Sequence, residues 1–94
     1  MSILLWAGAM DACYYSIIER GEGGHFWGWV PDLPGVSADG LTEQEVVDQL
    51  ARSMRECLRN LIVTGEPVPR PRPPEELPRR NVARELRRLL LIIS

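Results

Sequence analysis

The sequence predicts an α+β domain in which a three-stranded antiparallel sheet is covered on one face by a single amphipathic helix. Three observations carry this. Two runs rich in aromatic and β-branched residues, 13–20 and 25–30, are separated by a glycine-rich stretch. A proline–glycine turn follows the second run, and a segment with a strong start signal and helical periodicity begins at Thr42.

The first run, Cys13-Tyr14-Tyr15-Ser16-Ile17-Ile18-Glu19-Arg20, ends at Gly21-Glu22-Gly23-Gly24 and reads as strand followed by turn. The second, His25-Phe26-Trp27-Gly28-Trp29-Val30, alternates so that Phe26, Gly28 and Val30 point one way and His25, Trp27 and Trp29 the other. A loop of about four residues between them predicts an antiparallel hairpin. Gly28 marks a place where a helix or an aromatic ring approaches the strand closely. In Val30-Pro31-Asp32-Leu33-Pro34-Gly35-Val36, two prolines and a glycine forbid both strand and helix, because proline fixes φ and lacks the N–H while glycine admits positive φ. Asp32 is expected to bond its own turn. Val36 to Asp39 is then a short third strand closed by Gly40.

The helix has the most specific signal. In Thr42-Glu43-Gln44-Glu45 the Thr42 hydroxyl caps the amide three residues on and Glu45 reaches back, while Leu41 and Val46 form a staple. Apolar residues recur at Val46, Val47, Leu50, Met54, Leu58, Leu61 and Ile62, with Ala51 and Cys57 beside them, which is one buried stripe. Gly65 is the expected C′ residue, and Pro67 prevents continuation.

Beyond it, Pro67-Val68-Pro69-Arg70-Pro71-Arg72-Pro73-Pro74 is stiff and extended, suited to an edge strand or a polyproline arm. Residues 79–94 combine strong helix formers with a charged first half and end in Leu89-Leu90-Leu91-Ile92-Ile93, so a C-terminal helix is expected. Five large apolar residues in a row are costly to leave in water. Leu89, Leu90, Ile92 and Ile93 are therefore expected to pack back on the domain or to mediate a homo-oligomer, dimer or tetramer.

At 94 residues the chain accommodates one domain with a modest core. It contains no lysine, and its net charge of -2 hides an asymmetry. Residues 1–66 carry four Arg against ten Asp and Glu, and residues 67–94 carry seven Arg against three Glu. An acidic body favours a cationic partner. Cys13 and Cys57 share no metal-ligand spacing, which reads as two reduced thiols in a cytoplasmic protein. The apolar residues 1–9 lack a charged flank and are too short for a membrane span, and Met10 is the expected start, with 1–12 an N-terminal extension.

The order of hairpin, Pro31-Asp32-Leu33-Pro34-Gly35, short strand ending Asp39-Gly40, Thr42-x-x-Glu45, amphipathic helix, Gly65 and Pro67-Val68-Pro69 resembles the HicB-type antitoxins of toxin–antitoxin pairs. The resemblance covers about residues 13–72, leaving 73–94 as a Pro/Arg-rich linker and terminal helix; Val36 stands where the family has a small residue or cysteine. It implies a truncated ribonuclease H-like fold with a further short strand, an oligomer, and the silencing of a small HicA-type toxin that degrades messenger RNA. Members often add an operator-binding module of about 40 residues, by the size of two helices and a turn. The residues after Pro74 are too few for one, so DNA binding by this chain is not expected.

A ribonuclease toxin presents a basic face, and an acidic partner can cover it without chemistry of its own. Asp32, Asp39 and Glu43, near the turn and helix start, are the expected acidic contacts, and Trp27 and Trp29 the expected aromatic anchors. A two-metal nuclease would require converging carboxylates, yet Asp32, Glu43 and Glu45 have turn, dipole and cap roles. No enzyme activity, metal or cofactor is therefore expected. The alternative to an antitoxin is an orphan homo-oligomeric module of the same fold without a toxin.

Overall fold

The structure, a computed structural model, describes residues 12–79 and 84–93. The expected N-terminal extension and the Met10 start therefore lie outside the described residues, except for Ala12, which opens the first strand. The elements are β1 (Ala12–Arg20), β2 (Phe26–Trp29), β3 (Ser37–Gly40), α1 (Glu43–Thr64) and β4 (Glu85–Ile93). All neighbouring strands are antiparallel, in the order β3-β2-β1-β4.

The hairpin forms through a 3₁₀ turn at Glu22–Gly24, with Ile18 opposite Gly28 and Glu19 opposite Trp27. Gly28 does what its position predicted. A Cβ there would lie 2.8 Å from Val46 and 3.0 Å from both Ile18 and Leu50, so the absent side chain lets α1 rest directly on β2. Helix and sheet share a core of Tyr14, Ile18, Val30, Leu33, Val36, Ala38, Val46, Leu50, Met54, Leu58 and Leu91. Burying each large aliphatic side chain contributes about 1.5–3 kcal/mol before ordering costs.

Helix α1 starts as its sequence predicts, with one displacement. The Thr42 hydroxyl accepts from the Glu45 amide at 3.1 Å, while the Glu45 carboxylate accepts from the amide of Leu41, one residue before the cap. At the far end Gly65 is left-handed, its N–H reaches Ile62 and that of Glu66 reaches Leu61, which is a Schellman motif. Ile62, expected in the buried stripe, is instead exposed.

The C-terminal helix is corrected to a strand. A run of apolar residues cannot be assigned to helix or strand by periodicity alone. Here the side of β1 away from β2 is open to pairing, and residues 85–93 pair along it from Ala12↔Ile93 to Glu19↔Glu85, with a bulge at Ile18/Glu19. The Ser16 hydroxyl adds a bond to the Leu89 carbonyl at 2.9 Å. Alternation then sends Leu91 into the helix-side core and Leu90 and Ile92 to the other face.

Residues 66–79 contain no strand and one 3₁₀ turn at Pro74–Glu76, so the sheet's fourth strand is β4 rather than the proline segment. The segment is a strap. The Tyr14 hydroxyl donates to the Pro69 carbonyl, the Arg72 amide and guanidinium donate to the Asp32 carboxylate, and the Arg88 guanidinium donates to the carbonyls of Pro74 and Pro78. Arg88 stands opposite Ile17, on the face away from the helix, so these bonds bring the strap across that face. Ile17 and Leu77 are buried there.

Candidate protein-binding face

Direct cross-strand neighbours share a face of a sheet. Because Glu19 pairs with Trp27, Trp27 with Asp39, and Glu19 with Glu85, the four side chains form one row across all four strands, on the face opposite α1. The next row is Arg88, Ile17, Trp29 and Ser37. The strap covers the β1–β4 side of these rows and leaves Trp27 and Trp29 half-buried and Asp39 exposed.

Beside the tryptophans lies an open cleft of about 300 Å³ lined by Trp27, Trp29, Pro31, Leu33, Ser37 and Pro78 among others. A second cleft of about 330 Å³ lies between the turn and α1, against Cys57, Asn60 and Leu61. Both are walled by Pro34, Gly35 and Val36, so the turn is a ridge between them. Its rigidity has local causes. Val30 and Val36 bond at 3.0 Å, Leu33 bonds Val30, Val36 bonds Leu33, and Gly35 takes φ +90. Leu33 is fully buried beneath it.

The sequence-derived contacts thus separate into two groups. Trp27, Trp29 and Asp39 come together on one face. Asp32 does not join them: its carboxylate, 6% exposed, is taken by Arg72 forty residues later instead of bonding its own turn. Glu43 lies at the helix start and pairs with Arg87 at 2.9 Å.

Sequence reasoning passed over Glu19 and Glu85. Glu19 is 6% exposed, and its Oε2 has no hydrogen-bond partner; the buried indole Nε1 of Trp27, its cross-strand neighbour, has none either. Such unpaired groups cost free energy in the isolated chain. Strand alternation was the available signal, since it places Glu19 on the Trp27 side of the hairpin. Glu85 is held by Arg88 at 2.8 Å, and this hydrogen bond lowers its carboxyl pKa against the opposing effect of burial. Tyr14, on the helix side, is shifted upward, first by burial and then by the Asp32 charge. Among the described residues no three His, Cys, Asp or Glu side chains form a metal-ligand group, and no helix is long and apolar enough to cross a membrane.

The architecture is that of a small α+β domain with two tryptophans and the exposed Asp39 on the sheet face turned away from α1. No protein-family model matches the chain, and no curated protein matches it. Among solved structures it is similar to the N-terminal domain of the Burkholderia pseudomallei antitoxin HicB, at 21% identity and a TM-score of 0.68, covering 88% of this chain and 96% of that one. It is also similar to a chain of the HicA3 and HicB3 toxin-antitoxin complex, at 25% identity and a TM-score of 0.55, covering 68% of this chain and 74% of that one. In fold the chain is HicB-like, as the order of its motifs implied.

Proposed function

We propose that this chain is an antitoxin that binds a small, basic HicA-type toxin and silences its messenger-RNA cleavage by covering the RNA-binding face. The observation that carries the reading is the pair of half-buried tryptophans, Trp27 and Trp29, beside the exposed Asp39 on one face of a HicB-like sheet. The exposed Asp39 carboxylate complements a cationic surface, and half-buried tryptophans beside a cleft are suited to anchoring a partner. The unpaired Trp27 indole N–H is a donor that a partner's carbonyl would satisfy after a small rotation. Occlusion needs no catalytic group on the antitoxin. Similarity to a chain of a toxin–antitoxin complex supports the choice of partner.

The test is co-expression with any small basic protein encoded beside this chain, followed by co-purification and a messenger-RNA cleavage assay. A stable complex with cleavage suppressed is expected. Trp27→Ala combined with Asp39→Arg should weaken it at least tenfold while leaving the circular dichroism of the chain unchanged. Binding that survives this pair of changes rules out the Trp27 face as the contact. A neighbour that never binds would leave the orphan oligomeric module as the function.

A further inference from the structure

One wall of the cleft beside the tryptophans is Pro78, and every other lining residue belongs to β2, β3 or the turn between them. The strap therefore supplies a surface that strand pairing alone does not. What holds Pro78 there is Arg88. Its Nη2 group donates to the Pro78 carbonyl at 3.2 Å, and Nη1 donates to the carbonyl of Pro74. The same guanidinium is oriented by both oxygens of Glu85, at 2.8 and 3.2 Å. The Arg88 side chain is only 11% exposed. A planar fork fixes two carbonyls and a carboxylate at once, which a lysine ammonium on its flexible stem does not.

The distance matters. Arg88 shares a row with Ile17, Trp29 and Ser37, so it stands two strand spacings, about 10 Å, from Trp29. The Pro74–Pro78 turn bridges that gap, and Ile17 and Leu77 are buried with it. Residues 66–79 include six prolines and no glycine. Proline fixes φ and lowers the entropy lost on ordering, so the strap is built as a wall and not as a hinged lid.

We infer that the partner's contact surface runs from Trp27 and Trp29 onto Pro78, and that Arg88 is a positioning residue that keeps this wall in place without touching the partner. The inference rests on the toxin reading for its occupant, a basic partner that the exposed Asp39 complements. A preformed wall lowers the ordering cost of binding. Releasing it leaves the tryptophans where they are, because β2 is held by its own ladders to β1 and β3. The loss then falls on dissociation and not on encounter.

The first measurement uses the full chain alone. In Glu85→Gln with Arg88→Met, which leaves the net charge unchanged, hydrogen exchange at the amides of Glu76 and Leu77 should rise about tenfold. These amides bond Pro73 and Pro74 at 3.0 and 3.3 Å. Exchange at Leu50, in the helix core, should not change, which separates a released strap from a weakened fold. Unchanged exchange at Glu76 and Leu77 overturns the role of Arg88. The second measurement is the kinetics of the co-purified complex. Dissociation should quicken about fivefold in the double variant and in Pro78→Gly, which removes the wall and spares Arg88, while association stays as in the parent. Parent-like dissociation in both variants overturns the contact at Pro78 and leaves the toxin reading intact. A parent chain that binds no basic neighbour overturns the toxin reading and the occupant with it.

Discussion

The two faces of the sheet are closed by different physics. On one, the 22 residues of α1 press an apolar stripe onto the sheet, and the close approach is fixed by the missing side chain at Gly28. On the other, a strap of irregular chain, which passes round from a tie to Tyr14 on the helix side, is held by polar bonds that Asp32 accepts from Arg72 and that Arg88 donates to Pro74 and Pro78. Hydrophobic burial scales with area, whereas each tie contributes only about 1 kcal/mol, or somewhat more where a charge is involved. The helix face therefore contributes most of the domain's stability, and the strap face is the less tightly closed of the two.

Three experiments break or sharpen this contrast. Leu50→Ala, at a fully buried position under α1, should cost about 2–5 kcal/mol by the transfer and cavity contributions together, read as a lowered denaturant midpoint. A smaller loss than from the strap variant would invert the comparison. Asp32→Ala removes the tie to Arg72, whose side chain is 42% exposed, and should cost about 1–2 kcal/mol while raising hydrogen exchange in residues 66–79 more than in α1. Equal acceleration in both regions would show that strap and helix unfold as one unit.

The smallest effect is a pH dependence from Glu85. Its carboxyl is lowered from the ordinary 4.5, first by the Arg88 hydrogen bond, so the folded state binds fewer protons than the unfolded state in that window. The contribution is present above 4.5 and is lost as the pH falls through the folded value. Glu85→Gln should thus be less stable than the parent by about 1 kcal/mol at pH 7, the two converging in acid. Parallel curves from pH 7 to pH 3 would show that the Arg88 bond contributes nothing.

The same division separates what was legible in the residues from what was not. The hairpin, the rigid turn, the third strand and the helix with both caps were readable because each signal acts within a few residues: Thr42 on Glu45, Gly65 on Ile62, Gly35 on its own turn. Gly28 was readable as a close approach, though not by what. The tryptophans could be assigned to one strand face, but the row became visible only when Asp39, Glu19 and Glu85 were brought beside Trp27 by pairing. Asp32 was misplaced because its partner is distant in the chain.

By itself, then, the sequence determined an α+β domain with a three-stranded meander under one capped helix, and an acidic body bearing two tryptophans on one strand face. Tertiary structure decided that Glu85–Ile93 is a strand, that the proline segment is a strap, and that Asp32 belongs to Arg72. The physical reason is the range of the forces involved. Caps and turns satisfy backbone groups from adjacent residues, whereas an apolar run of helix-compatible residues takes whatever conformation fills the vacancy it meets, and here the vacancy was the open side of β1.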